Sequence, residues 1–244
     1  MIIILFFIAH WYLCLFCQTF FQHRYAAHKM FSMSPFWEKV FYVASFIFQG
    51  SSFLSPRAYA ILHRMHHAYA DTEKDPHSPK YDSNLFTMMW RTKKIYNSIL
   101  EDKTEVEERF KKDVPNWTFM ENLADNSIVR VMWMAAYIAF YIAFAPSLWF
   151  FLLLPIHFFM GPIQGAIINW FAHRIGYVNF KLKDTSKNLV PLDLIMLGES
   201  YHNNHHKYGA RANFGVKWFE LDPVYYVIRL FNALGIIKLK RQPA

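Results

Sequence analysis

The residues with the clearest capacity for chemistry are histidines in two copies of one pattern, H-x-x-H-H. The first copy is the segment His63–His67, and the second is the segment His202–His206. On an α-helix, positions i, i+3 and i+4 share one face. Each copy therefore predicts three imidazoles that point the same way.

Three further histidines and one asparagine extend this set. His23 and His28 form a pair, and Asn169 precedes His173 by four residues. Neutral imidazole binds Zn, Cu, Fe and Ni well, and zinc usually takes three or four protein ligands. Nine of the 12 histidines lie in these groups, too many for one ion, so the sequence predicts a two-metal site. The nine are His23, His28, His63, His66, His67, His173, His202, His205 and His206.

The spacing of His23 and His28 conflicts with a straight α-helix. Five positions correspond to about 140° around such a helix, so the two side chains would not share a face. The sequence predicts that the first helix ends at His23 and that the chain bends before His28.

Composition favours an integral membrane protein built as one domain over residues 1–244. Of the 244 residues, 54% are hydrophobic and only 18% are charged, and the apolar residues come in long runs. The net charge of +8 is scattered along these runs, which argues against nucleic acid as a partner. Cys14 and Cys17 are interpreted as packing residues, with a redox pair as the weaker alternative.

Three spans of the bilayer are predicted, at about residues 1–22, 128–145 and 148–171. Prolines and glycines interrupt the third span and predict a kink. An apolar stretch at 36–54 is interpreted as an interfacial helix. The 34 positions between His28 and His63 are too few for two crossings, and a single crossing would separate these histidines.

The remaining segments, 55–127 and 172–244, are predicted to form a helical cytosolic cap. Residues 91–113 combine charged side chains with apolar residues at helical spacing, which predicts an amphipathic helix. Asp222, Pro223 and Gly235 predict the start and end of a last helix. The fold class is thus an all-α membrane protein whose histidine site faces the cytoplasm, with Met1 outside.

Three segments resemble the histidine boxes of the membrane fatty-acid desaturases: His23–His28, His63–His67 and His202–His206. The H-x₄-H form of the first box is similar to the acyl-CoA Δ9, or stearoyl-CoA desaturase-like, branch. The motifs Asp75–Pro79 and Gly198–Tyr201 resemble the same branch. The resemblance runs from about residue 18 to residue 237.

This resemblance implies two Fe ions, O₂, and two electrons from a separate donor of the ferredoxin or cytochrome b5 type. The implied product is a cis double bond in a fatty acyl chain carried on CoA or on a lipid. The nine histidines would be iron ligands, and Asn169 would act through a water. Stearoyl-CoA enzymes have four spans and three are predicted here, which implies a shorter branch or a truncated chain.

Outer residues of the site are also predicted. Asp75 and Glu199 are the favoured carboxylate partners of bound histidines, ahead of Glu73 and Asp193. His77 would lie behind the ligands or at the substrate headgroup. Six cations could meet a CoA phosphate or, equally, anionic lipid. They are Arg57, Arg64, Lys93, Lys94, Lys207 and Arg211.

Two other functions fit the same residues. The first is a di-iron hydroxylase of fatty acyl chains or lipids, because the boxes do not distinguish loss of a second hydrogen from oxygen rebound. The second is a haem- or metal-binding membrane protein for electron transfer or transport. Haem needs paired axial histidines on facing spans, whereas the clusters here lie at span ends. His10 and His157 lie inside spans and are predicted to form interhelical contacts.

Overall fold

The computed structural model describes residues 1–240, so the last four positions of the predicted cap lie outside the described residues. The described part is mainly helical, as predicted. Its α-helices are α1 (Ile2–Phe16), α2 (Pro35–Gln49), α3 (Pro56–Tyr69), α4 (Leu85–Leu100), α5 (Glu108–Lys111), α6 (Thr118–Asp125), α7 (Ser127–Phe144), α8 (Leu154–Phe158), α9 (Met160–Ala166), α10 (His202–Lys207) and α11 (Pro223–Ala233).

One small sheet departs from the all-α prediction. Strand β1 (Phe31–Met33) pairs antiparallel with β2 (Ile237–Leu239), with Ser32 opposite Lys238. This pairing joins the chain just after the first histidine box to its C-terminal end. It helps to hold α11 against the core beneath the box, where Phe20, Phe31 and Ile228 pack together.

The first helix does not bend before His28, contrary to the prediction. From Cys17 to Ala27 it continues α1 as a π-helix, so one helix runs from Ile2 to Ala27. The apolar side chains exposed to the surroundings end at Leu13. From Cys14 to Ala27 all residues except Phe16 are buried. The predicted first span therefore has an exposed half and a half enclosed by the rest of the protein.

Helical segments lie where the other two spans are predicted, with nearly the predicted bounds. Helix α7 matches the second, and the segments Leu148–Phe158 and Met160–Phe171 match the third, with a bend of 73° between them. The bend confirms the predicted kink, and it follows from the prolines and glycines of this segment. Within residues 1–240, two helices are long and apolar enough to cross a membrane, or three if the bent pair counts as one.

A buried polar contact joins these segments. The Nδ1 atoms of His10 on α1 and His157 on α8 lie 2.6 Å apart. The hydroxyl of Tyr141 on α7 lies 2.8 Å from Nε2 of His157. The predicted interhelical role of the two histidines is thus confirmed. Because His157 has a polar partner at each ring nitrogen, it links the three apolar segments through buried contacts.

The predicted single amphipathic helix over residues 91–113 is wrong in extent. Helix α4 stops at Leu100, the chain turns through Asp102 at a positive φ of 51°, and α5 is only four residues long. The apolar residues nevertheless pack in one cluster, where Ile99 and Phe110 contact Ile61 of α3. The predicted apolar face therefore exists, but a tight turn divides it between α4 and α5.

Helices lie at the two remaining predicted positions, although α2 ends at Gln49, before the predicted end at residue 54, and its interfacial location stays a prediction. Helix α2 has 15 residues, fewer than the roughly 20 that a crossing needs. It is followed by Gly50 at φ 51°, where any Cβ would collide with the Tyr137 hydroxyl. Helix α11 starts at Pro223, with the Asp222 side chain accepting from the amide of Tyr225. It ends just before Gly235, which has a φ of 72°.

Candidate metal centre

Two short helices carry the H-x-x-H-H motifs. Ser55 caps α3 by accepting from the amide of Ala58, and Pro56 stands at its first position. The motif then lies in the last turns of α3, and its twin makes up most of α10. Both motifs are helical as predicted, so each presents its histidines on one face.

His23 and His28 also point toward one site, but through a π-helix instead of an α-helix. The amide of His28 donates to the carbonyl of His23 at 3.1 Å, which is the i→i+5 bond of a π-helix. Residues five apart therefore lie above one another instead of about 140° apart. The 140° separation applies to an α-helix, so the prediction of a bend before His28 is wrong for this π-helical segment.

Five imidazoles form a first cluster, in which one ligand atom from each lies within 4.8 Å of all the others: His23, His28, His63, His67 and His205. The Nε2 atoms of His28 and His63 are 2.8 Å apart. The Nε2 atom of His205 lies 3.0 Å from that of His23 and 2.9 Å from that of His67. All three boxes thus meet in this cluster.

Four imidazoles form a second cluster by the same criterion: His66, His173, His202 and His206. Their Nε2 atoms converge in the same way, at 3.2 Å for His66 and His206 and at 3.0 Å for His173 and His202. The nine predicted histidines are therefore all brought together, and they divide into a group of five and a group of four.

The two groups fit a pair of metal ions. Nitrogens about 3 Å apart are the spacing expected when imidazoles share one ion at bonds of about 2.1 Å. Burial lowers the pKa values of His63, His66, His202 and His205 well below the usual value, which keeps these rings neutral at physiological pH. Neutral nitrogen donors without thiolates suit iron and the later divalent ions.

Carboxylates hold the outer nitrogens of two ligands, as predicted. The Nδ1 atom of His66 lies 2.9 Å from an oxygen of Asp75, and both side chains are fully buried. The Nδ1 atom of His23 lies 2.7 Å from an oxygen of Glu199. Such bonds fix the ring orientation and leave Nε2 for a metal. Asp75 is itself fixed by the amides of Asp71 and His77.

The other two candidate acids do not contact the ligands. Glu73 is exposed, and the Asp193 carboxylate accepts the backbone amides of Met196, Gly198 and Ser200. The ring of His77 lies against the ring of His66, tilted by 33° and with 4.2 Å between the centroids. It therefore lies beside the second cluster.

Two further partners were missed by the sequence analysis. Asp184 lies 3.2 Å from Nδ1 of His206, and the Thr185 hydroxyl lies 3.1 Å from Nδ1 of His173. No spacing signal connects residue 184 with a histidine 22 positions later. The charge of Asp184 is favoured by His206, and its pKa is lowered despite the cost of burial.

The two asparagines inside the third box fix the rotation of α10. The side-chain oxygen of Asn203 accepts the amides of Asn179 and Phe180. The amide nitrogen of Asn204 donates to the carbonyl of Phe214 and to Glu220, each at 2.9 Å. A six-residue helix has little stability of its own. These bonds therefore orient the three histidines of the box.

A cavity of about 970 Å³ reaches both clusters, with His23, His63 and His202 in its wall. Apolar residues such as Leu15, Met134, Phe158, Ile168 and Met196 line much of it. A largely apolar cavity of this size with polar groups at one place is typical of a site for a long apolar ligand. Asn169 lines the same cavity, which is compatible with its predicted role.

Comparison with known proteins agrees with this geometry. The family model described as "Fatty acid desaturase" matches residues 1–234. The chain belongs to the fatty acid desaturase family. It is 30% identical to the Delta-9 desaturase-like 5 protein of Arabidopsis thaliana, over 89% of this chain and 70% of that protein.

Other relatives of this desaturase differ in what they act on. The sn-1 stearoyl-lipid 9-desaturase of Synechocystis sp. is 29% identical, over 88% of this chain and 64% of that protein. The acyl-CoA 5-desaturase of Anemone leveillei is 28% identical, over 91% and 66%. Their names differ in both the acyl carrier and the position of the bond.

The six predicted headgroup cations fall into different environments. Arg57 binds Asp102 and Glu121, and Arg64 donates to four backbone carbonyls. Both therefore have structural partners. Lys93 lines the cavity. Lys94 lies over the ring of Trp90, and both Lys207 and Arg211 lie over the ring of Tyr208.

Proposed function

We propose that this desaturase uses two iron ions and O₂ to introduce a cis double bond at the Δ9 position of a fatty acyl chain carried on CoA. The observation that carries the proposal is the cavity, because it is largely apolar and reaches both histidine clusters. The nine histidines are proposed as the iron ligands, five for one ion and four for the other.

Different residues would bind the acyl group and orient the iron ligands. The apolar wall binds the chain, excludes water and fixes which methylenes face the clusters. Asp75, Glu199 and Asp184 orient the ligand rings. Two iron ions held there would supply the activation of O₂ and the removal of two hydrogens from adjacent carbons. The balance requires two electrons and two protons from outside, and two waters leave.

A CoA carrier is supported by two observations. Lys93 stands in the cavity wall with Asn97 one turn later on the same helix. A lysine ammonium there can meet a phosphate or a thioester-proximal oxygen. One relative also bears the name of an acyl-CoA desaturase. A lipid carrier is the alternative that the relative in Synechocystis exemplifies.

We also propose a membrane orientation. The exposed apolar faces of α1, α7 and the bent pair α8–α9 would lie in the bilayer, with the clusters on the cytoplasmic side. Only 11% of α7 is buried against the rest of the protein, which suits a lipid-facing helix. The turn between α7 and Leu148 carries no lysine or arginine, which favours the outside.

The test is expression in a bacterium together with a ferredoxin or cytochrome b5 donor. The double bonds in the total fatty acids are then mapped by mass spectrometry, with His66→Ala as the inactive control. New Δ9 monoenes that the control lacks are the expected result. Assays of purified protein with stearoyl-CoA and with a stearoyl lipid separate the two carriers.

Three outcomes would contradict parts of the proposal. Hydroxy acids in place of monoenes would assign the protein as a hydroxylase. A haem absorbance band with little non-haem iron would point to an electron-transfer protein. Monoenes formed only on the stearoyl lipid would reject CoA while leaving desaturation intact.

A further inference from the structure

The segment Leu189–Leu197, named here the apolar loop, exposes an unusual set of side chains. It lies between α9 and the third histidine box and forms turns and bends, without helix or strand. Four apolar residues in it are exposed: Val190 at 40%, Leu192 at 55%, Leu194 at 49% and Ile195 at 66%. Four such residues in one loop form an exposed apolar patch, and exposed apolar patches often mark an interaction site.

The apolar loop packs beside α1 at a defined height. The indole nitrogen of Trp11 donates to the carbonyl of Ile195 at 3.0 Å. Leu15 and Met196 pack in one buried cluster, with Trp11 against it. This is the level at which the exposed apolar surface of α1 ends, since its last exposed residue is Leu13. The patch therefore continues the surface that α1 would present to lipid.

Buried polar groups anchor the apolar loop from the inside. Asp193 is only 1% exposed, and its carboxylate accepts three backbone amides. The hydroxyl of Tyr201 accepts a hydrogen bond from the backbone amide of Asp193 and donates one to the carbonyl of Pro191. Irregular backbone is costly next to hydrocarbon because nothing there replaces its hydrogen bonds. Here the polar groups turn inward while the apolar side chains turn outward.

We propose that the apolar loop inserts into the membrane beside α1 and forms a lipid-facing wall of the acyl cavity. Its inner residue Met196 lines that cavity, together with Leu15 of α1. The inference rests on the proposed function, which places α1 in the bilayer. Lipid is the occupant because the patch is continuous with α1 and because Asp193 and Tyr201 anchor the loop from the protein side. A cap segment that was expected in the cytosol thereby becomes part of the membrane interface.

The test measures the surroundings of nitroxide labels in phosphatidylcholine nanodiscs. Single cysteines replace Leu192 and Leu194 in separate variants. Ile4→Cys, at a position 49% exposed on α1, serves as the lipid control. Glu105→Cys, at an exposed position of the cap, serves as the aqueous control. The unsubstituted chain checks that the buried Cys14 and Cys17 do not react.

Collision rates with O₂, which concentrates in lipid, and with a water-soluble nickel chelate are compared. The expected result is that labels at 192 and 194 resemble Ile4→Cys, with an O₂-to-nickel ratio several-fold above that of Glu105→Cys. Each labelled protein must retain the iron content of the unlabelled one, which shows that it is folded.

Two results overturn the inference alone. Free access of nickel to positions 192 and 194, with Ile4→Cys shielded, would place the loop in water. Shielding of these labels from both reagents would show that protein, such as a second copy of the chain, covers it. If Ile4→Cys is itself open to nickel, the membrane orientation in the proposed function fails, and the inference fails with it.

Discussion

The rings of His23 and His28 lie 5.0 Å apart between centroids although five positions separate the two residues. A π-helix makes this possible, because its i→i+5 hydrogen bond stacks such residues. The π-helix therefore allows both histidines of the first box to lie in one cluster. Buried polar contacts hold the widened helix in place, because Gln22 hydrogen-bonds Gln49 and Arg24 pairs with Asp222.

Replacing His28 with alanine should weaken metal binding at the first cluster and leave the second unchanged. His28 belongs only to the group of five, so four imidazoles remain there, and we expect one of the two ions to be lost more readily on treatment with a chelator. Metal analysis and Mössbauer spectroscopy measure this. The matched control is His10→Ala, which removes a buried histidine outside both clusters. Equal retention of both ions by His28→Ala and by the unsubstituted chain would contradict a role of His28 in the first cluster.

Replacing Asp75 with asparagine should weaken metal binding at the second cluster. Loss of a carboxylate that orients a ligand typically lowers metal affinity by about 10–100-fold. Competition with a chelator of known affinity measures the change. Glu73→Gln is the matched control, because it removes the same kind of charge from the same loop at an exposed position. Equal affinities in the two variants would show that the contact between Asp75 and His66 has no role in metal binding.

Enlarging Gly165 should change the length of acyl chain that the enzyme accepts. Gly165 lines the cavity, and a Cβ placed there would stand 3.6 Å from the Gln18 side chain, an ordinary contact. Gly165→Ala should therefore be tolerated, while Gly165→Leu fills part of the cavity. We expect the leucine variant to lose turnover of stearoyl-CoA by about 10-fold or more relative to a chain several carbons shorter. An unchanged ratio would show that the acyl chain does not pass this wall.

Breaking the buried ion pair of Arg24 and Asp222 should destabilise the protein strongly. The two side chains are 0% exposed and lie 2.8 Å apart. Arg24→Met leaves a buried carboxylate unpaired, which typically costs about 3–5 kcal/mol. Unfolding by denaturant in detergent gives the free energy. For comparison, Asp102→Asn breaks the pair between Arg57 and an 80% exposed aspartate, with an expected change below about 1 kcal/mol. Similar losses in the two variants would contradict the prediction.

The sequence predicts those parts of the fold that depend on neighbouring residues in the chain. The bounds of α7, the bend near Pro155 and the start of α11 at Pro223 were predictable because each depends on residues next to it in the chain. The break of the charged helix after Leu100 was not predictable from its period. An apolar face persists across a tight turn whenever both sides pack against the same helix, here α3.

The sequence by itself determined the chemistry of this protein. Nine histidines at ligand spacing, without thiolates and beside long apolar runs, predict a two-metal site for an apolar substrate. Residue type and local spacing suffice for that, because an imidazole binds metal through its own nitrogens wherever it is placed.

Only the tertiary structure decided how the histidines divide and what holds them. The contacts of His206 with Asp184 and of Asn204 with Glu220 join residues far apart in sequence. The same is true of the contact between Trp11 and Ile195 that places the apolar loop beside α1. Such contacts depend on how helices pack together. No local pattern encodes them, because the packing is set by the free energy of burial over the whole chain.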